Sequence, residues 1–170
     1  MLDRQLQLVL AALTPDNRRV CQVALRTGLR VGDVLALKRE QLSRCFWVTE
    51  QKTGKRRQVG LPDWLIKDIW AHSGGSEWAF PGRKPGKPRT RQAVWKDLKR
   101  AQRAFRLDIN IGTHSMRKDY AVDLMEKYGD IEKVRRALNH DSSTVTMLYA
   151  MADKLTETAQ QRRSVRRRKR

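Results

Sequence analysis

The stretch Cys45–Leu61, CFWVTEQKTGKRRQVGL, is where the rhythm of this 170-residue chain turns from helical to extended. Cys45 to Thr49 has the composition of a strand, and Arg57 to Leu61 is a second strand candidate. Between them lies Gln51-Lys52-Thr53-Gly54-Lys55, a polar run with a glycine where a tight turn needs one. The segment reads as an antiparallel hairpin with Lys52 at its tip.

Almost everything around the hairpin has helical spacing. A helix is expected over residues 5–12, ending near Thr14-Pro15. Asp16 opens a second, with Val20, Val23, Ala24 and Leu25 as its apolar stripe and Thr27-Gly28 as its stop. A short third helix spans Val31 to Leu37, which puts Arg30 at a helix–turn–helix junction. After the hairpin come a helix from Trp64 to about His72 and a possible third short strand at Trp78–Phe80. Residues 81–91, PGRKPGKPRTR, carry five basic residues and three prolines, which predicts an extended, mobile loop. Thr90 then caps a helix to about Phe105, Thr113 caps another over 114–127, and Gly129-Asp130 starts a third. A turn at Asn139-His140-Asp141 precedes a last packed helix, Val145 to Met151, and a polar helix to about Gln161. The fold class is α+β, mainly α-helical, with one small antiparallel sheet. One domain over residues 1–161 and a disordered basic tail over 162–170 are expected.

Charge narrows the partner. Lys and Arg number 37 against 18 Asp and Glu, a net +19. Seven of those charges lie in the tail from Arg162, so the body alone carries +12. A field of that sign captures polyanions, and nucleic acid presents the densest array of phosphates. The two cysteines, Cys21 and Cys45, form no CxxC pair and have no histidine at ligand spacing, so neither zinc nor a disulfide framework is expected. No apolar run is long enough to span a bilayer, and Asp3 and Arg4 interrupt any leader-like start. A cytoplasmic protein is expected.

Several residues could act on a phosphate. His114 and Arg117 lie three apart at a helix start, where both side chains and the helix dipole reach one anion. Arg30 sits in TGLRVGD, with Asp33 three residues on to orient its guanidinium. Lys52 lies on a basic hairpin with Lys55, Arg56 and Arg57. His140 follows Leu138-Asn139, and Tyr149 comes nine residues later. Each string alone also fits an ordinary capping residue, surface ion pair or helix aromatic.

Together, in order, they resemble the catalytic domain of the tyrosine recombinases, especially phage-type integrases. TGLRVGD matches the family's first arginine box, QKTGKR its hairpin lysine, and His114-Ser115-Met116-Arg117 its HxxR box. Leu138-Asn139-His140 matches its second histidine and Tyr149 its nucleophile. Asn139 replaces the usual glycine, at a helix end that asparagine also fills. The resemblance implies strand cleavage and rejoining through a 3′-phosphotyrosine, without metal or cofactor, by Arg30, Lys52, His114, Arg117, His140 and Tyr149. It implies double-stranded DNA as partner, self-association into a synaptic tetramer, and a nucleoid-associated place in a bacterial host. Lys55, Lys87, Arg89 and Arg91 are the expected DNA contacts. Only 29 residues precede Arg30, too few for the family's usual clamp domain, so the chain reads as a catalytic fragment or a naturally short member. Two other readings remain open: a type IB topoisomerase and a non-catalytic DNA-binding regulator.

Overall fold

The computed structural model describes residues 4–107 and 110–139. Its elements are α1 (Arg4–Ala12), α2 (Pro15–Thr27), α3 (Val31–Leu35), β1 (Phe46–Thr49), β2 (Arg56–Val59), α4 (Asp63–His72), α5 (Arg91–Ala104), α6 (Ser115–Tyr128) and α7 (Ile131–Ala137). The chain divides into two compact units after Tyr120, within α6.

The first unit is organised around α2. Proline at its first turn spares a hydrogen bond that would be missing anyway, and Asp16 complements the helix dipole. Val20, Val23 and Ala24 are buried, and the helix touches α1, α3, α4 and α5. Burial of each valine contributes roughly 1.5–3 kcal/mol. The stripe expected for this helix is therefore the centre of the unit's core.

β1 and β2 pair antiparallel, Phe46 opposite Val59 and Val48 opposite Arg57. Phe46 and Val48 point inward, with Arg57 and Val59 on the facing strand. The turn closes where the Glu50 amide donates to the Lys55 carbonyl at 3.0 Å, and Gly54 takes the left-handed φ of 67°. The expected third strand at Trp78–Phe80 is only an isolated bridge between Lys38 and Trp78. Three residues ahead of a proline-rich run cannot extend a ladder.

The basic loop is crossed by several bonds of its own. Pro81 bridges Pro88, Gly82 donates to the Lys87 carbonyl at 2.8 Å, and the Trp78 indole donates to the Gly86 carbonyl at 3.1 Å. Thr90 caps α5 as expected, its hydroxyl accepting from the Ala93 amide.

Buried Asp97 on α5 ties the helix to the α1–α2 corner. It accepts from the Thr14 amide at 2.9 Å, the Thr14 hydroxyl at 2.7 Å and the Asn17 amide group at 2.8 Å. Burial alone would raise its pKa, but these bonds and Arg100 bring it down to about 2. The stabilisation is therefore complete above the unfolded carboxylate value near 4 and lost as pH falls through about 2. Asp97→Asn should cost about 2 kcal/mol at neutral pH and flatten stability between pH 4 and 2, measured by urea unfolding across that range.

In the second unit, Asp130 caps α7 by accepting from the Glu132 and Lys133 amides at 2.9 and 3.3 Å. Val134 and Leu138 lie on one face of this segment and are fully buried. Asn139 takes a left-handed φ of 50°, so asparagine does serve at this helix end. The expected helices from Val145 onward and the tail lie outside the described residues.

Candidate active site

The Thr27-Gly28-Leu29-Arg30 turn is built to aim one side chain. The Thr27 hydroxyl donates back to the Val23 carbonyl at 2.7 Å, and Gly28 ends α2 at φ 62°. That left-handed step turns the chain sharply at little steric cost, since glycine has no Cβ. Leu29 is fully buried, which pins the turn. Arg30 then starts α3 in extended conformation, its carbonyl accepting from Val34 at 3.0 Å. Its side chain, 23% exposed, leaves the core for the surface.

The carboxylate that meets Arg30 is Glu50, not Asp33. Glu50 continues the inward alternation of Phe46 and Val48 and is wholly buried. It pairs with Arg30, with Arg57 at 3.2 Å and with Arg117 at 3.9 Å, and accepts from the Thr53 hydroxyl at 3.3 Å. Asp33, on the first turn of α3, serves the hairpin instead, accepting from the Gln51 amide at 2.9 Å. A three-residue step along a short helix aims Asp33 at the turn backbone, while the strand alternation delivers Glu50 to the arginines.

Arg117, on the first turn of α6, is 5% exposed and donates to the Gly28 carbonyl at 2.6 Å. The glycine turn that aims Arg30 thus also holds Arg117. Burial lowers the Arg117 pKa to about 10, helped by repulsion from Arg30 and opposed by Glu50. Burial likewise lowers Arg57, again opposed by Glu50. At neutral pH both guanidinium groups remain cationic.

His114 is exposed in the turn preceding α6, and its carbonyl accepts from the Lys118 amide at 3.0 Å. Helix α6 begins at Ser115, one residue later than expected, because the Ser115 hydroxyl takes the Gly112 amide and closes the turn. Lys52 and Lys55 are exposed on the hairpin turn. Arg91 is exposed, and its Cδ would lie 3.8 Å from a Cβ built on Gly32, beside the Arg30 turn. Arg91 and Thr113 line one shallow concavity with Gln92 and Trp95. Lys87 is exposed, but Arg89 is committed: it pairs with Asp16 and donates to the Asn17 side chain at 3.2 Å. Its position at the close of the loop makes it a strut to α2 rather than an offered cation. His140 and Tyr149 lie outside the described residues.

Sequence reasoning passed over Glu50 and Arg57 as members of the cluster. A signal for both was present, since 46, 48 and 50 share one strand face and an acid there needs cations opposite.

Comparison with known proteins agrees with this geometry. The model of the phage integrase family matches residues 2–155. The probable integrase/recombinase YoeC of Bacillus subtilis is 31% identical over 140 residues, 79% of this chain and 77% of its own length. The integrase of Escherichia phage P2 is 30% identical over 154 residues, 88% of this chain but only 42% of its own length. The solved catalytic domain of bacteriophage HP1 integrase shares the fold, with TM-score 0.65 at 22% identity, covering 89% of this chain and 86% of that domain.

Proposed function

Because the chain belongs to the phage integrase family, we propose that it is a site-specific tyrosine recombinase that cuts and rejoins duplex DNA through a 3′-phosphotyrosine. The observation that carries this reading is the convergence of Arg30 and Arg117 on one buried carboxylate, in the same unit as His114 and the Lys52 hairpin.

A phosphodiester resists attack because it is anionic and its leaving alkoxide is poor. In the proposed step the Tyr149 oxygen attacks phosphorus and the bond to the 5′-oxygen breaks. The tyrosine proton passes to a base, with His114 proposed as that base or as a hydrogen-bond donor to the phosphate, and Lys52 delivers a proton to the departing oxygen. Arg30 and Arg117 hold the non-bridging oxygens and bind more tightly as charge grows there. His140 donates a further hydrogen bond. The phosphotyrosine keeps the bond energy, so a second 5′-hydroxyl reverses the step. Lys55, Lys87 and Arg91 would contact phosphates, adding affinity more than sequence choice. The catalytic domain is assigned to residues 1–161, with 162–170 as an electrostatic tether. Assembly of four copies on two DNA sites completes the reading, in the cytoplasm and on the nucleoid of a bacterial host.

A pool of nicked duplexes, in which the released 5′ fragment diffuses away, tests the chemistry. The expected result is a protein–DNA adduct that survives boiling in detergent and maps to Tyr149. Binding without an adduct would identify a non-catalytic regulator. Relaxation of a supercoiled plasmid without two-site exchange would identify a topoisomerase.

A further inference from the structure

We propose that Glu50 is a positioning residue for the cleavage reaction, a buried anionic template that sets the Arg30 and Arg117 guanidinium groups at the spacing a scissile phosphate requires. The inference rests on the recombinase reading and deepens it.

Glu50 has no solvent exposure, yet it lies at the end of a strand in a polar hairpin. A carboxylate without water is costly, and only charge partners and hydrogen bonds repay that cost. Here the partners come from three separate places: Arg30 from the α2–α3 turn, Arg57 from β2, and Arg117 from α6. One carboxylate therefore draws three cations from distant parts of the sequence to one point. Asp33, which is also buried, adds a second carboxylate close to Arg57 and Arg117 among the described residues.

The geometry also fixes direction. A guanidinium has five N–H donors in a rigid fork. Arg30 gives its Nη1 to Glu50 on the buried side, while its side chain is 23% exposed on the other. Holding one edge of the fork inward presents the opposite edge outward, with its rotation already restricted. Thr53, in the same turn as Lys52, donates to the same Glu50 oxygen as Arg30. The template thus ties the lysine-bearing turn to the arginines. It also gives a physical reason for the hairpin's inward alternation to end on an acid.

The test compares wild type, Glu50→Gln and Glu50→Asp in single-turnover cleavage of nicked duplex at saturating protein, with duplex affinity and thermal unfolding measured alongside. Glutamine keeps the shape but removes the charge. The expected result is a fall in the cleavage rate constant on the order of 10²-fold, comparable to losing one transition-state donor. Duplex affinity should be retained, and aspartate should restore part of the rate. A merely structural role would lower the reacting fraction and the melting temperature but leave the rate constant of the folded fraction at the wild-type value, which would overturn the inference. If the glutamine variant does not fold, aspartate decides alone: it keeps the charge but retreats by one methylene, and a wild-type rate constant would likewise overturn the inference. Absence of any wild-type adduct is a different failure. It overturns the recombinase reading and removes the reaction that Glu50 would serve.

Discussion

Tyr149→Phe is expected to abolish the covalent adduct while leaving duplex affinity and its salt dependence unchanged. The change removes one oxygen, and that oxygen is the atom that would bond to phosphorus. Affinity comes from phosphate neutralisation by lysine and arginine, to which a tyrosine contributes almost nothing. The two properties should therefore separate cleanly, in denaturing gels for the adduct and fluorescence anisotropy across a salt series for binding. The chain has three tyrosines, so the control is compact. Tyr128 is 47% exposed and has Lys127 and Lys133 over its ring at 5.0 and 5.7 Å, the surroundings of a surface aromatic. Tyr128→Phe should retain the adduct in full. An adduct that persists in Tyr149→Phe and disappears in Tyr128→Phe would reassign the nucleophile.

Legibility in the sequence followed the range of the forces involved. The helices were readable because each is signalled locally, by an apolar stripe such as Val20, Val23 and Ala24 and by caps such as Thr90 and Asp130. The hairpin was readable because Gly54 and the polar run 51–55 mark its turn. The Trp78–Phe80 strand misled because three apolar residues satisfy a strand template whether or not a partner strand exists. At the site, residue types at fixed spacing pointed to Arg30, His114 and Arg117. Their anchoring depends on pairs far apart in sequence and could not be read the same way. Asp33 is near Arg30 in the chain, but Glu50, twenty residues on, is its partner in space. Arg89 looked like an available cation until folding brought Asp16 to it across 73 residues. Ion pairs formed across the fold decide which arginines of a basic protein are offered to DNA and which are spent on the structure.

Arg117 is where these two uses of arginine coincide, and its substitution should show both. Its guanidinium is buried, donates to the Gly28 carbonyl at 2.6 Å and stands 3.9 Å from Glu50. Arg117→Ala would leave that carbonyl without this donor and the fully buried Glu50 with one cation fewer. Breaking a buried pair in this way costs roughly 3–5 kcal/mol. It would also remove one of the two groups assigned to the non-bridging oxygens, slowing cleavage on the order of 10²–10³-fold. Arg117→Lys separates the two effects. Lysine restores a positive charge beside Glu50 but has no planar fork, so it cannot hold the Gly28 carbonyl and a phosphate oxygen with the same geometry. It should recover most of the lost stability in chemical denaturation and little of the lost rate in single-turnover cleavage. Equal recovery of both would mean that Arg117 acts only as a charge in the core, and that the phosphate is held elsewhere.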